Sequence, residues 1–198
     1  MKARPDYMPP EQFKQVLDSI HLLHLRKFKV EDVQMFFKIC YWLGLRFNEA
    51  LKLTVEDFDF SINKVWLGTT KANKSDTALI PELFKSELVL YLDGKEGKIF
   101  PKFSYITCIK WIEKLGKMLN IQAWTTSRDE TGQFTKTHIF RKSIGKDMTY
   151  GTFGNKAPLN FVSKALRHKG RNPLATTIKY LNVGEEELDD WWKDKVVE

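Results

Sequence analysis

The sequence predicts a mostly α-helical chain with one small antiparallel sheet of three short strands, an α+β fold. Three observations lead there. Apolar residues recur at helical spacing through most of the chain. One stretch, "FDFSINKVWLGTTKANKSDTALIP", alternates instead with the two-residue period of strands. No internal repeat or low-complexity linker interrupts these patterns, and 198 residues with 42% hydrophobic content suffice for a single core.

In chain order, Pro10 suits the first position of a helix whose apolar face is Phe13, Val16, Leu17 and Ile20. A second helix carries Val33, Phe36, Phe37, Cys40 and Leu43, with Gly44 as its terminator. Asn48 is the expected cap of a short third helix from Glu49 to Leu53. Polar turns at residues 61–63 and 72–74 cut the alternating stretch into three strands. Helical spacing returns from Leu83 to Leu92, and again at Cys108, Ile109, Ile112, Leu115 and Leu119. "TTSRDETGQFTKT" reads as a polar loop or hairpin. Thr137 is expected to cap a helix opening at His138, and Pro158 and Pro173 to begin two more. Gly184 precedes an acidic last helix, so the expected organisation is a body over residues 1–184 and an acidic helix or tail over 185–198.

Composition narrows the function classes. No apolar run approaches the ~20 residues of a membrane span, and no signal peptide opens the chain, so an intracellular protein is expected. Cys40 and Cys108 lie in apolar helical patterns and read as small core residues, without zinc or disulfide spacing. His21 and His24 share a helix face but lack a third ligand, so no metal is expected. Net charge is +7 with a pI near 9.3. The last fourteen residues hold seven acids against two lysines, a net of −5, which leaves +12 for the rest. A basic body with a separate acidic tail fits a polyanion partner; on charge alone, plain solubility fits as well.

"YWLGLRFNEALKL" raises the sharpest chemical question. Arg46 is a permanent cation among aromatic and aliphatic residues, so it either reaches water or meets an anion. Its tight joint between two helices allows it to point into a cleft. Other polar residues also stand at element ends, where function is commonly carried. His138 and Arg141 are three apart at a helix start, whose unpaired N–H groups favour anions. His168 closes the next helix, Tyr180 follows in "TTIKY", and Lys71 stands at the hairpin tip. Singly, each has a plain structural explanation: an Arg46–Glu49 pair, a helix-start histidine, a core tyrosine.

Their order changes the reading. "GLRFNEALKL" resembles the G-L-R-x-x-E-x-x-x-L box of the tyrosine recombinases, the phage-integrase family. "TTKANKSDTALIP" is similar to that family's lysine-bearing hairpin, "HIFRKS" to its H-x-L-R-H-[ST] box, and "FVSKALRH" to its V-s-x-x-L-G-H box. "TTIKY" resembles the T-T-x-x-Y that holds the nucleophile. The likeness spans roughly Tyr7 to Leu181. Three departures stand out: Lys142 where a second histidine is common, Arg167 where glycine is usual, and a longer gap between His168 and Tyr180. Tyr150 is the other nearby tyrosine, but it lacks the threonine context.

The resemblance implies the tyrosine-recombinase catalytic-domain fold and a site-specific DNA recombinase or integrase working on double-stranded DNA. Arg46, Arg141 and His168 would hold the scissile phosphate, with Glu49 orienting Arg46. Tyr180 would attack, His138 would act as base or proton carrier, and Lys71 would protonate the leaving 5′-oxygen, with Lys74 as the fallback. The 3′-phosphotyrosyl product keeps the energy of the phosphodiester, so neither ATP, metal nor cofactor is expected; the sequence shows no P-loop or carboxylate cluster. The alternatives are a DNA-binding module without strand transfer and a topoisomerase-like nicking and closing enzyme. The likeness also implies that an N-terminal core-binding domain is missing here, and that the C-terminal segment supports self-association on DNA. That segment docks either onto a neighbouring protomer or as a lid on its own domain.

Overall fold

In the structure, a computed structural model that describes residues 7–69, 75–121, 124, 136–169 and 171–181, Pro10 takes the first position of α1 (Pro10–Asp18) as expected. The next long helix, α2 (Val30–Trp42), buries Val33, Phe36, Phe37 and Cys40. It also buries Met35, Ile39 and Tyr41, so it is apolar on nearly every side and forms a central rod. Its end is a Schellman turn. Gly44 takes φ +57°, Leu45 N–H donates to Cys40 O at 3.0 Å, and Gly44 N–H donates to Tyr41 O at 3.1 Å.

That exit displaces the expected cap of the third helix. Once Gly44 and Leu45 have closed α2, the first extended residue is Arg46, at φ −73° and ψ 151°. Helix α3 therefore runs Phe47–Ala50 with Arg46, not Asn48, as its cap residue. Asn48 lies inside the helix and is exposed.

Strands β1 (Phe58–Asp59), β2 (Lys64–Thr69) and β3 (Ser75–Leu79) form the antiparallel sheet in the order β1-β2-β3. Val65 pairs with Phe58 on one side and Ala78 on the other. The two-residue period buries Val65 and Ala78 and leaves Trp66 and Leu79 exposed. The first turn is made by the Asp59 carboxylate, which accepts from the Ser61 N–H at 3.0 Å, and by Asn63 at φ +53°. The second turn, with Lys71 and Lys74, lies outside the described residues.

Helix α4 (Glu82–Leu92) follows, then α5 (Tyr105–Met118), capped by Ser104 Oγ accepting from the Thr107 N–H at 3.2 Å. Gly116 is required by packing: a Cβ there would lie 2.5 Å from that of Trp124. Two aromatic hubs pack these elements together. Phe36 meets Phe47, Phe100 and Phe103 at ring-centroid distances of 5.0, 5.3 and 5.7 Å. Phe140 meets Phe13, Phe37, Phe47 and Trp124 at 5.8, 5.2, 5.8 and 5.5 Å. Cys40 and Cys108 are buried free thiols; burial pushes Cys40 well above the usual thiol range and Cys108 up to about 12.

Thr137 does not cap a helix. It lies within a tight 3₁₀ turn, Lys136–His138, ahead of α6 (Ile139–Tyr150). The chain divides into two units, Met1–Ile144 and Gly145–Glu198, and α6 carries it from the first into the second. In the second unit, Pro158 precedes α7 (Leu159–Ala165) as its cap residue, and Pro173 begins α8 (Pro173–Leu181). Gly145 lets both helices approach: a Cβ there would lie 2.8 Å from Leu166 Cδ1 and 2.8 Å from Leu181 Cδ2. The expected boundary at Gly184 and the acidic segment beyond it lie outside the described residues. Among the described residues, no helix is long and apolar enough to cross a membrane, and no group of three metal-ligating side chains gathers.

Candidate active site

The first unit brings four of the expected residues to one joint. Arg46 stands where α2 has ended and α3 begins, with its side chain 52% exposed. It is thus turned to solvent, not buried among its apolar neighbours. Glu49, one turn on, accepts from the Arg46 backbone N–H at 2.8 Å and from its guanidinium Nη1 at 2.9 Å. The first bond caps α3; the second holds the guanidinium in place.

Arg141 reaches the same joint from α6. Its side chain is 1% exposed, and Nη1 donates to the Gly44 carbonyl at 2.7 Å. That carbonyl lies at the C-terminal end of α2, where the helix dipole is negative and favours a cation. Phe140, beside Arg141 in sequence, is locked between α1, α2, α3 and Trp124, which fixes the start of α6.

His138 ends the 3₁₀ turn and is half-buried. Burial holds its pKa below the ordinary histidine value, and the charges of Arg46, Arg141 and Lys142 act in the same direction; Glu49 opposes them. At neutral pH the imidazole is therefore uncharged and able to accept a proton. Two anchors set this turn, and neither was anticipated from sequence. The Trp124 indole Nε1–H donates to the Lys136 carbonyl at 3.1 Å. The Lys136 ammonium, 7% exposed, pairs with Glu113 of α5 at 2.7 Å. A buried lysine inside a polar run gives no periodic signal, so only the fold reveals it.

The second unit holds His168. It does not close α7, which ends at Ala165. Arg167 takes the left-handed conformation at φ +53°, Arg167 N–H donates to Lys164 O at 2.9 Å, and His168 N–H donates to Ser163 O at 3.0 Å. This is a second Schellman turn, and it explains why a glycine suits position 167. His168 Nδ1 lies 2.8 Å from Thr177 Oγ1 of α8, a threonine of the "TTIKY" box to which the motif assigns no role. Tyr180 lies on α8 one turn beyond Thr177. Tyr150, the alternative, ends α6 and is 39% exposed. Lys71 lies outside the described residues, between β2 and β3.

Two arginines at one helix joint, with an uncharged histidine beside them, can meet an anion and accept a proton. The phage integrase family model matches residues 6–187, and the chain belongs to that family. No curated protein matches it. Its fold is similar to that of the XerH site-specific recombinase bound to palindromic difH substrate after cleavage, with a TM-score of 0.65 and 19% identity over 96% of this chain. The match covers 53% of XerH, so the chain spans about half the length of that relative. XerA recombinase matches over all of this chain and 68% of its own, at a TM-score of 0.65 and 18% identity. The catalytic domain of bacteriophage HP1 integrase matches at a TM-score of 0.61 and 21% identity, over 94% of this chain and 93% of its own.

Proposed function

We propose that this chain is a site-specific DNA strand transferase that cleaves and rejoins duplex DNA through a 3′-phosphotyrosyl intermediate. The observation that carries the reading is the joint of Arg46, Glu49, His138 and Arg141 in a chain of the phage integrase family. The XerH recombinase of similar fold is itself bound to its palindromic difH substrate in a post-cleavage complex, and the Tn1549 transposon integrase, also of similar fold, is in complex with circular intermediate DNA.

The residues divide the work by their chemistry. Arg46, held by Glu49, and Arg141, held by Gly44, supply charge-assisted donors for the non-bridging oxygens, whose negative charge grows in the transition state. His168 is the third donor when its ring is protonated. The Tyr180 oxygen forms a bond to phosphorus as the bond to the 5′-oxygen breaks. Tyr180 has a reference pKa near ~10, so its proton must leave during attack. His138 accepts it, being neutral beforehand. A phosphodiester entering the site adds negative charge beside His138 and raises its proton affinity, so binding prepares the base. Lys71 gives a proton to the leaving 5′-oxygen. Reversal with a different 5′-hydroxyl joins a new strand, and the phosphotyrosyl bond supplies the energy.

The partners in this reading are double-stranded DNA and further copies of the chain assembled on it, with residues 185–198 as the contact between protomers. The basic body and the tryptophan-bearing acidic tail support it. A suicide-substrate assay tests the reading. Nicked duplex DNA, from which the cleaved flank diffuses away, traps covalent protein–DNA adduct with the wild type and none with Tyr180→Phe, while duplex binding persists. Equal adduct in both proteins, or none in the wild type, refutes it.

A further inference from the structure

The second unit contains a hydrogen-bond chain for which the roles above give no purpose. Thr177 is fully buried on α8, one turn before Tyr180. Its Oγ1 lies 2.8 Å from the Pro173 carbonyl oxygen and 2.8 Å from His168 Nδ1. A hydroxyl carries one hydrogen, and a carbonyl oxygen can only accept. The hydrogen therefore goes to Pro173, and the hydroxyl oxygen accepts from His168 Nδ1–H. We propose that Thr177 is a positioning residue for strand transfer: its hydroxyl fixes neutral His168 as the Nδ1–H tautomer, so that Nε2 is the ring nitrogen that acts on the phosphodiester. The proposal rests on the strand-transfer reading above.

Both ends of this bond are held by backbone. The Schellman turn after α7 fixes the His168 main chain. At the start of α8, Asn172 Oδ1 accepts from the Ala175 N–H at 3.0 Å, and the Asn172 carbonyl accepts from Thr176 Oγ1 at 3.0 Å. The first turn of α8 thus cannot rotate freely, and Thr177 Oγ1 meets the ring at a set angle.

The tautomer has a chemical consequence. An Nδ1–H imidazole presents a lone pair at Nε2, so it accepts a proton there and donates to a phosphoryl oxygen only as the cation. The Nδ1–H···Oγ1 bond is the same in both charge states, so the ring need not turn between them. Thr177 also shares a helix with Tyr180. Any displacement of α8 that withdraws the nucleophile breaks the Thr177 bond and releases His168 from its tautomer. Seating the nucleophile helix and readying His168 are then one event.

The test is made on the free full-length protein labelled with ¹⁵N-histidine, by long-range ¹H–¹⁵N correlation, with His168 assigned from its loss in His168→Gln. The neutral wild-type ring carries its proton on Nδ1. In Thr177→Val, nearly the same size without the hydroxyl, the proton moves to Nε2; Thr177→Ser restores Nδ1–H. Adduct formation on nicked DNA falls on the order of tenfold in Thr177→Val, about one hydrogen bond's worth, and recovers in Thr177→Ser. A wild-type ring protonated on Nε2, or a tautomer unchanged in Thr177→Val, overturns the proposal, as does an adduct rate unchanged in Thr177→Val. Absence of adduct in the wild type refutes the strand-transfer reading instead, and the tautomer still decides whether Thr177 orients His168.

Discussion

Glu49→Gln separates the electrostatic role of Glu49 from its structural one. The amide oxygen of glutamine can still accept from the Arg46 backbone N–H, so the cap on α3 is kept. What is lost is the charge facing the Arg46 guanidinium at 2.9 Å. With the Arg46 side chain 52% exposed, that ion pair is screened by water and contributes only about 0.2–1 kcal/mol to stability. For a chain of this size the thermal midpoint then falls by no more than ~4 °C. Catalysis responds far more, because an arginine no longer held toward the phosphate is a misaimed transition-state donor; the adduct rate falls by roughly tenfold to a hundredfold. Glu49 is also the influence that raises the pKa of His138 against Arg46, Arg141 and Lys142. Removing its charge lowers that pKa further. A ¹H NMR titration of the His138 ring, a thermal melt and the trapping assay measure the three effects on one variant. A His138 pKa that rises in Glu49→Gln, or an adduct rate equal to wild type, refutes the placement of Glu49 at the site.

Three further outcomes follow from the same geometry. Phe140→Ala empties the junction of α1, α2, α3 and Trp124, and urea unfolding should show a loss of about 3–5 kcal/mol; a loss under ~1 kcal/mol would mean that Phe140 is not a core hub. His138 is held below its ordinary pKa, so the folded state binds its proton less readily than the unfolded chain does. Stability and adduct rate should both be full above ~6.5 and decline as pH falls through the folded-state value; an acid limb of the adduct rate that persists in His138→Gln would assign it to another group. Deleting residues 185–198 should abolish the sedimentation of multi-protomer complexes on DNA carrying two sites, and unchanged assembly would rule out docking between protomers.

The elements legible in the sequence are those set by local rules. Pro10, Gly44 and the alternation around Val65 act within a few residues, and the helices and sheet appear where those residues place them. The misplaced caps have a shared cause. Asn48 and Thr137 are good capping residues, but the exit from α2 and the buried Lys136–Glu113 pair set the chain's direction before they are reached. Arg141 shows the limit most clearly. The "HIFRKS" box marks it as a phosphate-holding candidate, but nothing local shows that it is buried, with the Gly44 carbonyl 97 residues earlier accepting its bond. Thr177 is legible as part of the "TTIKY" box but without a role, because only the fold of α7 and α8 brings it to His168.

The identity of the nucleophile decides whether this chain transfers strands through Tyr180. Full-length protein trapped on nicked duplex DNA is digested with protease and nuclease, and the nucleotide-bearing peptide is sequenced by mass spectrometry. A phosphodiester remnant is expected on Tyr180, in the peptide containing "TTIKY". A remnant on Tyr150, on a residue other than tyrosine, or on no peptide at all would contradict it.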